Sequence, residues 1–262
     1  MRCLAILCVR NERFYVARSI DHLIEQDIEV VVIDNQSTDG TADIVRSYLG
    51  RGVHELRTLA FEGEYSLRRQ LDAKAEVVRD FAPDWALHLD ADELPQSVDP
   101  QLTLYGELAA AAGEGFTCVN FDEFVFVPAA GEDHQGDDYV RAMRRYYFFE
   151  PRPRRLMRAW RPDCGVAGLE DGGHHAGGPG LRVMPRNLPL RHYIVLGLAH
   201  ARSKYLGRRF ARDDVARGWH GNRMIISEAN LRLPAAALKE LDEPGSRNFA
   251  RDDPKRLHFW QW

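Results

Sequence analysis

The sequence predicts an α/β fold, a mostly parallel sheet flanked by helices with a smaller antiparallel portion after it, and three observations lead there. Residues 2–9 and 28–33 are apolar runs of strand length without polar alternation, the pattern of strands covered on both faces. Segments with helically spaced apolar residues alternate with such runs through the first hundred residues, as parallel β–α–β units require. Beyond residue 115 the pattern changes to stretches in which arginine alternates with apolar or aromatic residues, as in antiparallel strands with one solvated face.

Each element has a local reason. Strand 2–9 is followed by Asn11, a residue able to cap the next helix, whose apolar positions Phe14, Ala17, Ile20, Leu23 and Ile24 are helically spaced. Strand 28–33 stops at the polar turn Asp34-Asn35-Gln36-Ser37-Thr38-Asp39-Gly40, and Ile44, Val45, Tyr48 and Leu49 mark the helix beyond it. A third strand is expected over 54–60, a third helix over 64–81 and a fourth strand, WALHL, over 85–89. A helix over 101–112 leads to 116–127, which alternates loosely and ends at Pro128. Residues 139–149 and 154–160 are the arginine-alternating strands, and 163–180, rich in Gly and His without periodicity, reads as a long loop. A short strand is expected over 188–195, helices over 199–217 and 222–231, and a shorter helical candidate over 234–241. No repeat and no linker divides the chain, so a single domain over 1–262 is expected.

Composition narrows the function classes. The hydrophobic set is 45% of 262 residues, enough for a core and against disorder. Lys and Arg number 35 against 39 Asp and Glu, a net charge of −4 that argues against a general nucleic-acid binder. Only Lys74, Lys204, Lys239 and Lys255 are lysines, so positive charge is almost all arginine, suited to bidentate recognition of carboxylate and phosphate. The apolar run 4–9 is too short for a signal peptide and no stretch approaches the roughly 20 apolar residues of a membrane span. Cys3, Cys8, Cys118 and Cys164 lack CxxC spacing and read as reduced thiols. A cytoplasmic protein, with at most peripheral membrane contact, is expected.

Ligands of open parallel sheets sit at the carboxyl ends of the strands. Three such ends are polar here: Arg10-Asn11-Glu12, Asp34-Asn35-Gln36 and Asp90-Ala91-Asp92-Glu93. No GxGxxG follows the first strand and no GxxxxGK[ST] occurs, which disfavours a dinucleotide site and excludes a P-loop nucleotidase. Two carboxylates one residue apart, Asp90 and Asp92, can present oxygens to Mg²⁺ or Mn²⁺ while a phosphorylated ligand completes the shell. The same acidic spacing recurs at Glu25/Asp27, Asp27/Glu29, Glu62/Glu64 and Glu240/Asp242. Position separates Asp90/Asp92 from these: it directly follows a buried strand, at the edge that carries Asp34. The bland reading is a solvated turn with capping aspartates.

The segments CVRNERFYVARSIDHL, VVVIDNQSTDGTADIV and LHLDADEL, in that order and spacing, resemble family 2 glycosyltransferases of the GT-A fold, which carry a Rossmann-like sheet and a DxD motif. The resemblance covers about the first hundred residues. It implies a nucleotide-sugar pocket made by Val9, Arg10, Asn11, Glu12, Asp34, Arg69, Asp90 and Ala91. Asp34 would contact the nucleoside, Asp92 would bind the Mn²⁺ or Mg²⁺ that bridges the diphosphate, and Asp90 would lie nearer the ribose or sugar while sharing the metal. Arg69-Gln70 stands where the family often carries Arg-Asn, although the interval to Asp90 is longer than usual. On the acceptor side Glu170-Asp171 stands for the family's Glu-Asp pair, with Asp171 as base, and His192 for a further metal ligand. His174 and His175 are alternatives to His192, and Asp122, in VNFDEFVF, is the competing base; its bland reading is a charge paired with an arginine. Arg144, Arg145, Arg154 and Arg155 are candidates to line the groove, or the solvated face of a sheet.

The resemblance implies a metal-dependent, hexosyltransferase-like enzyme that moves one sugar to a hydroxyl of a glycan or small-molecule acceptor. The donor would be a nucleotide sugar, with a UDP-sugar favoured, and inversion would be the stereochemical outcome. Residues 1–100 would form the nucleotide-sugar-binding half and 101–262 the acceptor-binding half with C-terminal helices. No QxxRW motif is present, which favours one transfer per encounter. Two other classes remain: a nucleotidyltransferase on a related sheet, disfavoured because CVRNER has no glycine-rich loop, and a catalytically silent sugar-nucleotide or glycan-binding module. A zinc hydrolase is disfavoured by the absence of HExxH and of paired cysteines.

Overall fold

The computed structural model describes residues 1–136, 138–151, 156–234, 236 and 238–262. In chain order its elements are β1 (Cys3–Val9), α1 (Val16–Glu25), β2 (Glu29–Asp34), α2 (Thr41–Ser47), β3 (Val53–Thr58), α3 (Leu67–Phe81), β4 (Trp85–Leu89), β5 (Glu93–Pro95) and α4 (Leu104–Gly113). There follow β6 (Cys118–Val119), β7 (Phe121–Phe126), α5 (Tyr139–Ala142), β8 (Arg145–Phe149), β9 (Ala159–Trp160), β10 (Leu188–Tyr193), α6 (Leu198–Tyr205), α7 (Arg212–Ala216), α8 (Gly221–Met224) and β11 (Lys239–Glu240). The α/β expectation holds. The chain forms two compact units, 1–62 with 66–121 and 155–190, and 63–65 with 122–154 and 191–262.

The first unit is built on a six-stranded sheet in the order β3-β2-β1-β4-β9-β6. Its four leading strands are parallel, with Val9 opposite Asp34 and Leu7 opposite Leu89; β9 runs antiparallel to β4, and β6 antiparallel to β9. Residues Leu4, Ile6, Val31 and Ile33 are fully or almost fully buried against Val77 of α3, which is why these strands show no polar alternation. Helix α3 begins at Leu67 rather than residue 64, because the Ser66 hydroxyl accepts from the Arg69 amide at 3.4 Å and caps it. It ends at Ala82 in the left-handed region (φ 42°). Its buried face is Gln70, Leu71, Lys74 and Val77, a helical stripe that includes one lysine.

The expectation that Asn11 caps α1 is corrected: Tyr15 is the N-cap and Asn11 lies at φ 57°, facing the neighbouring loop. The 163–180 segment is also more ordered than a long loop. Ala167 and Gly177 exchange backbone hydrogen bonds at 2.8 Å each, and the Thr117 hydroxyl donates to Gly180 O at 2.7 Å.

In the second unit β11, β8, β7 and β10 are neighbours in that order, with β11–β8 and β8–β7 antiparallel. Strand β7 lies between two others and is buried at every position, including Asp122 and Glu123. Asn120 separates β6 from β7, splitting the single strand expected over 116–127. Residues 139–142 form a helical turn, leaving the strand to 145–149. The long helix expected over 199–217 breaks after Tyr205, near Gly207 at φ 75°; that over 222–231 shrinks to α8, and the 234–241 candidate contains strand β11 instead. Arg154 and Arg155 lie outside the described residues. A core of Val125, Val127, Tyr147, Ile194, Val195, Tyr205 and Trp260 holds this unit.

Candidate functional site

Because β2, β1 and β4 are adjacent and parallel, their carboxyl ends share one edge of the first unit's sheet. That edge is tied together by side chains on backbone groups. The Asn35 amide donates to Val9 O at 2.8 Å, and Asn35 Nδ2 donates to Leu59 O and Ala60 O. Arg10 donates through one guanidinium nitrogen to Asn35 O and Gln36 O, each at 2.6 Å, and its guanidinium carbon lies 3.4 Å from the Phe61 ring centre. Asn11 Oδ1 accepts from the Thr38 amide at 2.8 Å, and the Glu12 amide donates to the Thr41 hydroxyl at 2.9 Å. Asp34 is buried, with both carboxylate oxygens accepting from the Ser37 amide at 3.2 and 3.1 Å. Val9, Arg10, Asn11, Glu12 and Asp34 are thus brought together.

The acidic turn follows β4. Asp90 is the open carboxylate, its side chain 44% exposed, whereas Ala91, Asp92 and Glu93 are buried. The turn closes on itself: the Asp90 amide donates to Glu93 Oε2 at 3.0 Å and the Glu93 amide to Asp90 O at 3.1 Å. Beneath it lie two buried cations. Arg158 donates to Glu93 Oε1 at 2.5 Å and stands 4.0 Å from Asp90 Oδ2. Lys74 Nζ donates to Leu89 O at 2.9 Å and meets His88 Nδ1 at 2.8 Å. Burial drives Lys74 below its ordinary value. It drives His88 well below 6.5, helped by the charges of Lys74 and Arg158, so the ring is neutral and Nδ1 accepts. Burial also pushes the Cys8 thiol up to about 12; Lys74 opposes the rise, and Asp90 and Asp34 add to it.

Glu93, Arg158, Lys74 and His88 escaped the sequence reading. A signal existed for Lys74: one of four lysines, it occupies the apolar stripe of α3. Arg158 was hidden among arginines read as a solvated face. Arg69 is found half-exposed on the first turn of α3, its guanidinium 2.7 Å from Glu62. Glu170 is exposed and precedes a tight turn, Asp171–Gly173, in which the Gly173 amide donates to Glu170 O at 3.0 Å.

The second unit holds Asp122 and His192. Asp122 is buried and accepts from Arg251 Nε at 2.8 Å. His192 Nδ1 lies 2.6 Å from Glu123 Oε1, both residues buried in the sheet; the carboxylate orients the ring as it does for many metal-bound histidines. Arg144 and Arg145 lie near Glu240.

Among the described residues no group of three or more His, Cys, Asp or Glu could hold a metal ion. The donor set is instead two carboxylates on one turn, one of them half open to solvent. That set fits a hard divalent cation completed by phosphate oxygens better than an all-protein cage. Among the described residues no helix is long and apolar enough to cross a membrane.

Residues 4–156 match the profile of glycosyl transferase family 2. The lipopolysaccharide core biosynthesis glycosyltransferase LpsC of Rhizobium meliloti (strain 1021) is 34% identical over 110 residues, 42% of this chain and 37% of that protein. The uncharacterized glycosyltransferase RT0209 of Rickettsia typhi (strain ATCC VR-144 / Wilmington) is 32% identical over 87 residues, 33% of this chain and 26% of its own length. The match therefore spans well under half of either curated relative. Among solved structures, S. aureus TarS aligns with a TM-score of 0.43 at 16% identity, over 88% of this chain and 45% of that one. A TarS 1–349 structure in complex with UDP-GlcNAc aligns with a TM-score of 0.42 at 15% identity, over 74% of this chain and 58% of that one.

Proposed function

The chain belongs to glycosyl transferase family 2, and from that premise we propose that it moves a single sugar from a nucleotide-sugar donor to an acceptor hydroxyl, with inversion at the anomeric carbon. The observation that carries the reading is the shared strand edge, where Val9, Arg10, Asn11, Glu12 and Asp34 meet beside the Asp90-Ala91-Asp92 turn after β4. Breaking a sugar–phosphate bond leaves a nucleoside diphosphate with added negative charge. Asp90 and Asp92 would hold Mn²⁺ or Mg²⁺, which would neutralise that charge. Asp34 receives the nucleoside, and Arg69 contacts the donor from the start of α3. A UDP-sugar is the favoured donor.

The acceptor hydroxyl needs a carboxylate within reach to take its proton. Glu170-Asp171 is the preferred pair, with Asp171 as the base. Asp122 is second, because its buried carboxylate is already engaged by Arg251. Residues 1–100 form the donor half in this reading and 101–262 the acceptor half; His192, its ring oriented by Glu123, is the candidate further ligand.

The test is a panel of UDP-, GDP- and dTDP-sugars with Mn²⁺ or with chelator, scored by thermal shift and by nucleoside diphosphate release. UDP compounds raise the melting temperature only with metal, and Asp92→Asn lowers turnover at least a hundredfold while the protein stays folded. Stabilisation indifferent to chelator, or an active Asp92→Asn protein, overturns the metal assignment. Release of pyrophosphate instead identifies a nucleotidyltransferase, and binding without turnover a silent module.

A further inference from the structure

The acidic turn and the Glu170-Asp171 segment are far apart in sequence, yet one buried side chain reaches both. Arg158, 2% exposed, donates through one terminal nitrogen to Glu93 Oε1 at 2.5 Å and through the other to Gly173 O at 3.5 Å. Glu93 in turn holds the Asp90 amide through its second carboxylate oxygen. Gly173 closes the turn that begins at Glu170. The main chain around Arg158 repeats the connection: the His88 amide donates to Arg158 O at 2.9 Å, and the Met157 amide donates to His174 O at 3.0 Å. His88 supports the same segment from β4, since a Cβ built on Gly173 would lie 2.6 Å from His88 Nε2. Only a residue without a side chain sits there, at φ 76°.

We propose that Arg158 is a positioning residue that locks the Asp90-Ala91-Asp92 turn and the Glu170–Gly173 turn into one frame. A planar guanidinium offers two divergent donors at fixed spacing, which a single ammonium cannot reproduce. Breaking that frame leaves each turn intact but lets the distance between them drift, and displacements of an ångström at a reacting centre cost large factors in rate. The catalytic consequence rests on the function proposed above, in which the first turn holds the donor and the second supplies the base.

Two variants test it. Arg158→Lys keeps the buried charge against Glu93 and gives up one of the two donors. Gly173→Ala leaves all charges in place and pushes the second turn away from His88. Both are read by hydrogen–deuterium exchange, by UDP affinity with Mn²⁺, and by the separate effects on kcat and on donor KM. The expected result is faster exchange in both 90–94 and 170–176 for Arg158→Lys, and chiefly in 170–176 for Gly173→Ala. UDP affinity stays within about threefold and kcat falls at least thirtyfold. Unchanged exchange in 170–176 for Arg158→Lys overturns the lock whatever the activity shows. Equal losses in UDP affinity and kcat also overturn it, since they mean that only the donor turn was disturbed. Asp171→Asn is measured alongside. If it retains full transfer while Arg158→Lys loosens both turns, the assignment of the base fails and the lock stands.

Discussion

At the scale of single residues, several buried charges are answered by an opposite group. Arg158 with Glu93 and Asp122 with Arg251 are ion pairs in which at least one partner is almost wholly removed from solvent, and Glu123 with His192 is a third buried polar pair. Such burial is tolerable because directed, charge-assisted hydrogen bonds replace much of the lost water contact. The thiols show the opposite environment. Burial pushes Cys3 and Cys118 up to about 12 from an ordinary 9.0, so both stay protonated at moderate pH. A raised thiol value means that the unfolded chain ionises first. The associated stability is complete below pH 9 and is lost as pH rises toward 12. Alkylation with iodoacetamide at pH 8.5 is expected to modify Cys164, the more open thiol, at least tenfold faster than Cys3 or Cys118. Comparable labelling of Cys118 in the native protein would contradict this environment.

At the scale of elements, pattern predicted type well where one rule acted alone. Strands β1, β2 and β4 are apolar because α-helices and neighbouring strands cover them, and their positions emerge from composition with little error. Helix α3 began late because Ser66 caps it, and Tyr65 instead bridges to 209–211, where its amide donates to Arg209 O at 2.7 Å. Strand β7 defeated the alternation rule because it is buried at every position, its polar residues Asp122 and Glu123 included. The 163–180 segment lacked any period, yet it folds on itself through close backbone approaches. At Gly178, φ is 130° and a Cβ would lie 2.1 Å from Gly165 O. Gly178→Ala is therefore expected to lower stability by about 1–3 kcal/mol and to speed hydrogen exchange across 163–180. Urea unfolding and exchange mass spectrometry measure both, and wild-type values would show that the apposition is slack.

At the scale of the whole molecule, the two compact units are interleaved along the chain, the first completed by residues 155–190. The division near residue 100 that the resemblance implies falls where the β–α alternation ends, whereas the first compact unit continues to 121 and takes in 155–190. The proposed donor residues from Val9 to Asp92 all belong to that unit. Saturating UDP with Mn²⁺, at about a hundred times its Kd, should stabilise the protein by about 2.7 kcal/mol. Its protection against hydrogen exchange should concentrate in 9–12, 34–41 and 90–93. Protection confined to 191–262 would displace the donor site from the strand edge.

The sequence by itself determined the α/β class, the mostly parallel character of the first strands and the polar strand ends that carry the candidate site. These follow from short-range rules: period, capping and the turn chemistry at strand termini. Only the tertiary structure decided that Arg158 and Lys74 lie beneath the acidic turn, that Asp122 is held by Arg251 and that Gly173 meets His88. Each of those contacts joins residues separated by 15 to 129 positions. No local pattern encodes such a pairing, because an arginine on a solvated strand and one buried against a glutamate look the same until the chain closes around them.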